Sequence, residues 1–135
     1  MIEDTVAESA ESPGESERLS LKFQRELNAG LVGLVLLAVL DQAQEDLYGY
    51  QIAKRLQQLA DGSPPVKQGA LYPVLRQLSA NGLLASRIVP SYAGPPRRYY
   101  RITAAGRDTL AQWRSIWRST RDFVDGFTEA NGASS

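Results

Sequence analysis

The sequence contains no cysteine, no histidine and a single methionine. Disulfides are thereby excluded, zinc loses its two commonest donors, and thiol, imidazole and Ser-His-Asp catalysis lose their reactive groups. Carboxylates do not take their place: Glu26, Asp41, Glu45 and Asp46 are the only acids between Arg18 and Tyr48, and no phosphate-cradling loop accompanies them. The composition therefore predicts a protein that is not an enzyme and that has no metal or cofactor. Long hydrophobic runs are scarce as well. The longest, Ala29 to Leu40, has 12 residues, short of the roughly 20 that span a bilayer. The acidic start also lacks the basic region of a secretory signal, so cytoplasmic residence is expected.

Net charge is absent too, with 15 bases against 15 acids in 135 residues, but the balance is uneven along the chain. Residues 1–17 carry Glu3, Asp4, Glu8, Glu11, Glu15 and Glu17 and no base, which leaves 15 bases against 9 acids, a net of +6, from Arg18 onward. Between Tyr48 and Arg107 the surplus is concentrated: Lys54, Arg55, Lys67, Arg76, Arg87, Arg97, Arg98, Arg101 and Arg107 face a single acid, Asp61. Such a surplus is what displaces counterions from a phosphate backbone.

Residues 1–19 are rich in Glu, Ser, Pro and Gly and poor in large apolar groups, the signature of a segment that cannot offset the entropy of ordering; they are expected to form a disordered acidic tail. From Leu21 the pattern turns helical, and Leu27, Leu31, Leu34, Val35, Leu36, Leu37 and Leu40 make that helix apolar nearly all round, so that Leu31 and Leu34 are expected to face a second subunit. Ile52, Leu56 and Leu59 form one stripe of a short amphipathic helix within 46–59, and Leu71, Leu75 and Leu78 form the stripe of the next, which stops at Asn81-Gly82. Pro73 fits the first turn, which sets that start near 69–72. Leu84 to Val89 and Arg97 to Ile102 then alternate with period two around a turn at 90–96, the pattern of a small β-hairpin. Thr103 is the expected N-cap of a last helix carrying Leu110, Trp113, Trp117, Thr120, Val124 and Phe127, widened by Ile116 and Phe123.

The fold expected is mainly α with a small β-hairpin: a winged helix-turn-helix domain over 20–103, a C-terminal dimerisation helix over 104–127 and a second disordered tail over 128–135. Its expected use is DNA reading. The alternative, a protein-interaction adaptor on the same scaffold without DNA binding, has no need for so one-sided a surface.

The runs Tyr48-Gly49-Tyr50-Gln51-Ile52-Ala53-Lys54-Arg55-Leu56, Gly69-Ala70-Leu71-Tyr72-Pro73-Val74-Leu75, Gly82-Leu83-Leu84 and Gly94-Pro95-Pro96-Arg97-Arg98-Tyr99-Tyr100-Arg101-Ile102-Thr103, with Gly106, are collinear at compatible spacing. Together they resemble the PadR family of bacterial transcriptional regulators over about residues 30–125. The resemblance implies a homodimer held by its C-terminal helix, a repressor of the short, single-C-terminal-helix subfamily released by a small molecule. It also implies residence on the nucleoid when DNA-bound.

In helix-turn-helix proteins the second helix enters the major groove with its N-terminal residues on base edges. Lys67, Gln68, Tyr72 and Arg76 are the expected readers. Tyr72 follows Leu71 and Arg76 follows Leu75, so both lie beside the core stripe. Gln68 suits adenine and Arg76 guanine, but phosphate contact is open to both, and Tyr72 also reads as a packed aromatic. Arg97 and Arg98 flank the hairpin turn and point to opposite faces, one toward a groove and the other toward the backbone. Tyr99 is the surface member of its pair and Tyr100 the core member. Tyr50 and Lys54, at i and i+4, read equally as a phosphate clamp or as an aromatic lid with a solvated lysine.

On the last helix, Leu110, Trp113, Ile116, Trp117, Thr120, Phe123 and Val124 are the expected dimer contacts. A tryptophan at the position of Trp117 implies, through the resemblance, a pocket for flat aromatic, multidrug-like effectors at the subunit interface, whereas the bare pattern reads as dimer core. Trp113 is assigned to packing. The expected partners are therefore a palindromic double-stranded operator, a second copy of the chain and a small aromatic effector, with no membrane.

Overall fold

The computed structural model describes residues 2–59 and 68–129, with side chains described for 14–58 and 69–129. In chain order the elements are α1 (Ile2–Gln42), β1 (Leu47–Tyr48), α2 (Gly49–Leu59), α3 (Gln68–Ala80), β2 (Leu84–Ser91), β3 (Gly94–Ile102) and α4 (Ala104–Thr128). Two compact units divide within α1, between Val32 and Gly33.

In the first unit, α1 runs continuously from Ile2 for 41 residues. Where its side chains are described the ordering force is local rather than burial. Residues 14–27 are all exposed, but Glu15 pairs with Arg18 at 2.5 Å, Lys22 with Glu26 at 3.3 Å, and the Gln24 amide donates to Asn28 at 2.9 Å. Pairs three or four apart on good helix formers stabilise a helix without a core. The helix also outgrows the 12-residue apolar run: Gly14–Gln42 is long and apolar enough to cross a membrane by length and composition. Its apolar end has another use, because Leu36, Leu37, Val39 and Leu40 are buried core residues of the second unit.

That unit is a winged helix-turn-helix. Ile52 and Leu56 of α2 and Leu71, Leu75 and Leu78 of α3 are buried, as their spacing predicts, and Leu47, Leu84, Tyr100, Ile102 and Leu110 complete the core. The side chain of Leu59 lies outside the described residues. The α3 helix starts at Gln68, earlier than Pro73 suggests, and Pro73 therefore stands in its interior. The carbonyl it leaves without a partner is that of Gly69; both residues are exposed, so water can satisfy it. Gly82, at φ 78°, ends the helix. Its N–H donates to the Ser79 carbonyl and that of Leu83 to the Leu78 carbonyl, both at 3.0 Å, the paired bonds of a Schellman cap. Thr103 ties this cap to α4: its hydroxyl donates to the Gly82 carbonyl at 2.7 Å and accepts from the Gly106 N–H at 3.0 Å.

Three antiparallel strands, not two, form the sheet, in the order β1-β3-β2. The helix expected to begin near Asp46 gives up its first residues to β1, with Leu47 opposite Tyr100 and Tyr48 opposite Tyr99. The turn expected over 90–96 is tighter: Ser91 pairs with Gly94, and only Tyr92 and Ala93 lie between. Pro90 is accommodated at a register shift between Val89 and Ser91, where the missing N–H breaks no regular ladder. The wing is therefore a long ribbon.

Candidate nucleic-acid interface

Strand alternation divides the wing's side chains between two faces. On the inner face, Leu47, Leu84, Tyr100 and Ile102 are buried, and Arg98 continues the same face outward, its Nη1 donating to Ser86 Oγ at 3.0 Å. A cleft of about 290 Å³ opens where this face meets α3, lined by Tyr48, Gly49, Tyr72, Arg76, Pro96, Arg97, Arg98 and Tyr100. Gly49 makes room there. A Cβ at that position would stand 2.5 Å from Cε1 of Tyr72 and 2.6 Å from its Oη. Burial pushes the Tyr100 hydroxyl above its ordinary pKa, while the Arg98 and Arg76 guanidiniums pull the other way.

On the outer face a cation-aromatic layer runs across all three strands. The Arg97 guanidinium lies 4.5 Å from the centroid of the Tyr48 ring, and Tyr48 meets Tyr99 edge to face at 5.3 Å. Arg87 covers Tyr99 at 5.2 Å and pairs with Asp46 at 3.0 Å. Tyr48 also stacks at 6.3 Å on Tyr50, whose ring lies 5.9 Å from the Lys54 ammonium.

These placements sort the expected site residues. Tyr72, Arg76 and Arg98 share the cleft, with Arg97 at its rim; Tyr50 and Lys54 form a neighbouring cluster on α2. Tyr99 is the less buried member of its pair, half-buried beneath Tyr48 and Arg87, and Tyr100 lies in the core. Lys67 and the side chain of Gln68 lie outside the described residues. The basic surplus is smaller in space than in sequence, since Asp46 reaches Arg87 and Asp41 reaches Arg107 at 3.5 Å. Among the described residues no carboxylate pairs with Arg76, Arg97 or Arg98, so the positive field of the cleft and wing is retained. Sequence reasoning missed Tyr48, Gly49 and Arg87, although Tyr48 and Gly49 stand inside the motif that carried the resemblance.

The model of the transcriptional regulator PadR-like family matches residues 36–112, more than half the chain and all of the cleft and wing. The chain belongs to the PadR-like family. A PadR family transcriptional regulator from Eggerthella lenta is 31% identical in its solved structure, with a TM-score of 0.68 over 85% of this chain and 96% of that one. A transcriptional regulator from Clostridium thermocellum superposes equally, at 28% identity over 76% of this chain and 98% of that one. A transcriptional regulator of Mycobacterium tuberculosis is 38% identical over 79 residues, 56% of this chain and 71% of its own length. PadR-like membership makes the chain a transcriptional regulator and gives the basic cleft its context, regulation through DNA.

Beyond the wing of this PadR-like fold, α4 separates its expected interface residues. Leu110 is 2% exposed and belongs to the core of the winged-helix unit. Trp113 is half-buried, its Cζ3 3.3 Å from where a Cβ on Gly33 would stand. Trp117 is half-buried and Thr120 exposed. Ile116, Phe123, Val124 and Phe127 project into solvent, with Phe123 and Phe127 edge to face at 5.1 Å. Leu31 and Leu34 are half-buried.

Proposed function

We propose that the protein is a homodimeric, sequence-specific repressor that reads a palindromic operator with α3 and the wing and leaves it on binding a small flat aromatic compound. One observation carries the DNA-reading part: Tyr72 and Arg76 of α3 and Arg98 of the wing converge on a single cleft, and among the described residues no carboxylate pairs with either arginine. In the major groove, Arg76 and Tyr72 address bases or phosphates while Arg97 and Arg98 engage the flanking backbone or minor groove. Lys54 and Tyr50 supply a further phosphate contact, as do Lys67 and Gln68. A two-fold dimer presents two such helices about 34 Å apart, one helical turn, which is why the operator is palindromic.

The dimer is attributed to α4, whose exposed Ile116, Phe123 and Val124 need cover, with Trp117 beside the effector. The protein acts in the cytoplasm, on the nucleoid when bound, and is not an enzyme. Fluorescence anisotropy with the duplex upstream of its own gene tests the reading. Binding should weaken with salt by about 0.9 in log affinity per log salt for each neutralised phosphate, and Arg76→Glu and Arg98→Glu should each abolish it. Affinity that is indifferent to salt, or untouched by both reversals, overturns the proposal.

A further inference from the structure

On the wing, the guanidinium of Arg97 lies 4.5 Å from the centroid of the ring of Tyr48, a residue of β1. Arg97 is otherwise exposed and no carboxylate among the described residues holds it. An arginine on a projecting ribbon has many rotamers, and ordering it at the moment of binding costs entropy that a pre-placed side chain avoids.

We propose that Tyr48 is a positioning residue for DNA binding, a stacking platform that holds Arg97 in the orientation it uses on the nucleic-acid backbone. The platform is itself held on several sides. Tyr48 pairs with Tyr99 across β1 and β3 and meets that ring edge to face at 5.3 Å. Its N–H donates to Gln51 Oε1 at 3.1 Å. Arg87 closes the far side of Tyr99 at 5.2 Å and is anchored by Asp46 at 3.0 Å. Arg87 is thus committed to a carboxylate, whereas Arg97 pairs with none among the described residues and can meet an anion. A ring quadrupole attracts a guanidinium without neutralising it, so Arg97 is oriented while keeping its full charge, which an aspartate partner would not allow.

The proposal rests on the DNA reading, and a double-mutant cycle on the full-length chain separates the two. Tyr48→Leu should weaken operator binding about 10-fold for a complex that uses both wings, and Tyr48→Phe, which keeps the ring, should restore it. Arg97→Ala should cost at least as much, and in that background Tyr48→Leu should cost nothing further. If Tyr48→Leu weakens binding equally with and without Arg97, or if Tyr48→Phe is as weak as Tyr48→Leu, the platform is overturned while the DNA reading stands. A wild-type chain that binds no operator removes both. Thermal melting of each variant keeps a folding defect from imitating the effect, because lost packing would act in both backgrounds.

Discussion

The ring of Tyr72 fills the space that a side chain at Gly49 would need, with its Cε1 2.5 Å and its Oη 2.6 Å from the position of a Cβ there. The start of α2 thereby leaves room for a side chain of α3. The intruding atoms are the far end of a ring that is 36% exposed, so a methyl group at residue 49 can be relieved by swinging the ring outward. Gly49→Ala should change stability by no more than about 1 kcal/mol yet weaken operator binding several-fold through the displaced ring. In a Tyr72→Ala background the same substitution should leave affinity unchanged. A stability loss above about 3 kcal/mol would instead mean that the backbone, not the ring, has to move.

The buried Tyr100 hydroxyl gives a stability term at high pH. Its pKa is raised in the folded chain by burial, so folding favours the neutral phenol. That contribution is fully present below the unfolded value of about 10 and is lost as pH rises through the folded value. Denaturant titrations should therefore show stability falling above about pH 10, and Tyr100→Phe should remove part of that slope. Equal slopes in both proteins would show that other groups carry the alkaline loss.

The stripes that position this site were legible because they repeat. Ile52 with Leu56, and Leu71 with Leu75 and Leu78, recur at helical spacing and are all buried, and buried Tyr100 and Ile102 flank the exposed Arg101. β1 was not legible, since two residues are too few for a period, and its Tyr48 acquires meaning only when β3 brings Tyr99 and Arg97 beside it. Charge counting erred for the same reason: Asp46 and Asp41 stand outside the basic stretch in sequence but pair with Arg87 and Arg107 in space. The N-terminal half of α1 left no burial pattern to read, because its described side chains are exposed and its order comes from local pairs.

The proposed dimer is best tested where the apolar side chains of α4 are mostly exposed. Ile116 is 61% exposed and Phe123 67%, so changing them to aspartate leaves the core intact. Burying an aliphatic or aromatic side chain is worth about 1.5–3 kcal/mol, and losing two positions in each of two protomers should weaken the dimer by at least about ten-thousand-fold. Ile116→Asp combined with Phe123→Asp should sediment as a folded monomer at micromolar concentration and lose affinity for the palindrome while retaining its melting transition. Truncation after Thr109 should behave differently, unfolding the protomer by removing Leu110 and Trp113. A wild-type chain that sediments as a monomer would refute the dimer and the palindrome with it.

The two tryptophans of α4 should respond in opposite ways to a planar dye. Trp113 packs on Gly33, so Trp113→Ala opens a gap in the protomer and should cost roughly 2–3 kcal/mol, less than a fully buried indole because the ring is half-buried. Trp117 lies four residues on, half-buried, with an indole face that a second subunit can oppose across a two-fold axis to stack a flat ligand. Such a ligand changes operator affinity only if it binds two arrangements of the dimer unequally, and the operator must then change ligand affinity by the same factor. Titration with a planar aromatic cation should quench tryptophan fluorescence and weaken DNA binding in the wild type. Trp117→Ala should abolish both responses and remain dimeric, and added operator should raise the apparent Kd of the dye. If Trp117→Ala binds the dye as the wild type does, the indole pair is interface packing and the effector site lies elsewhere.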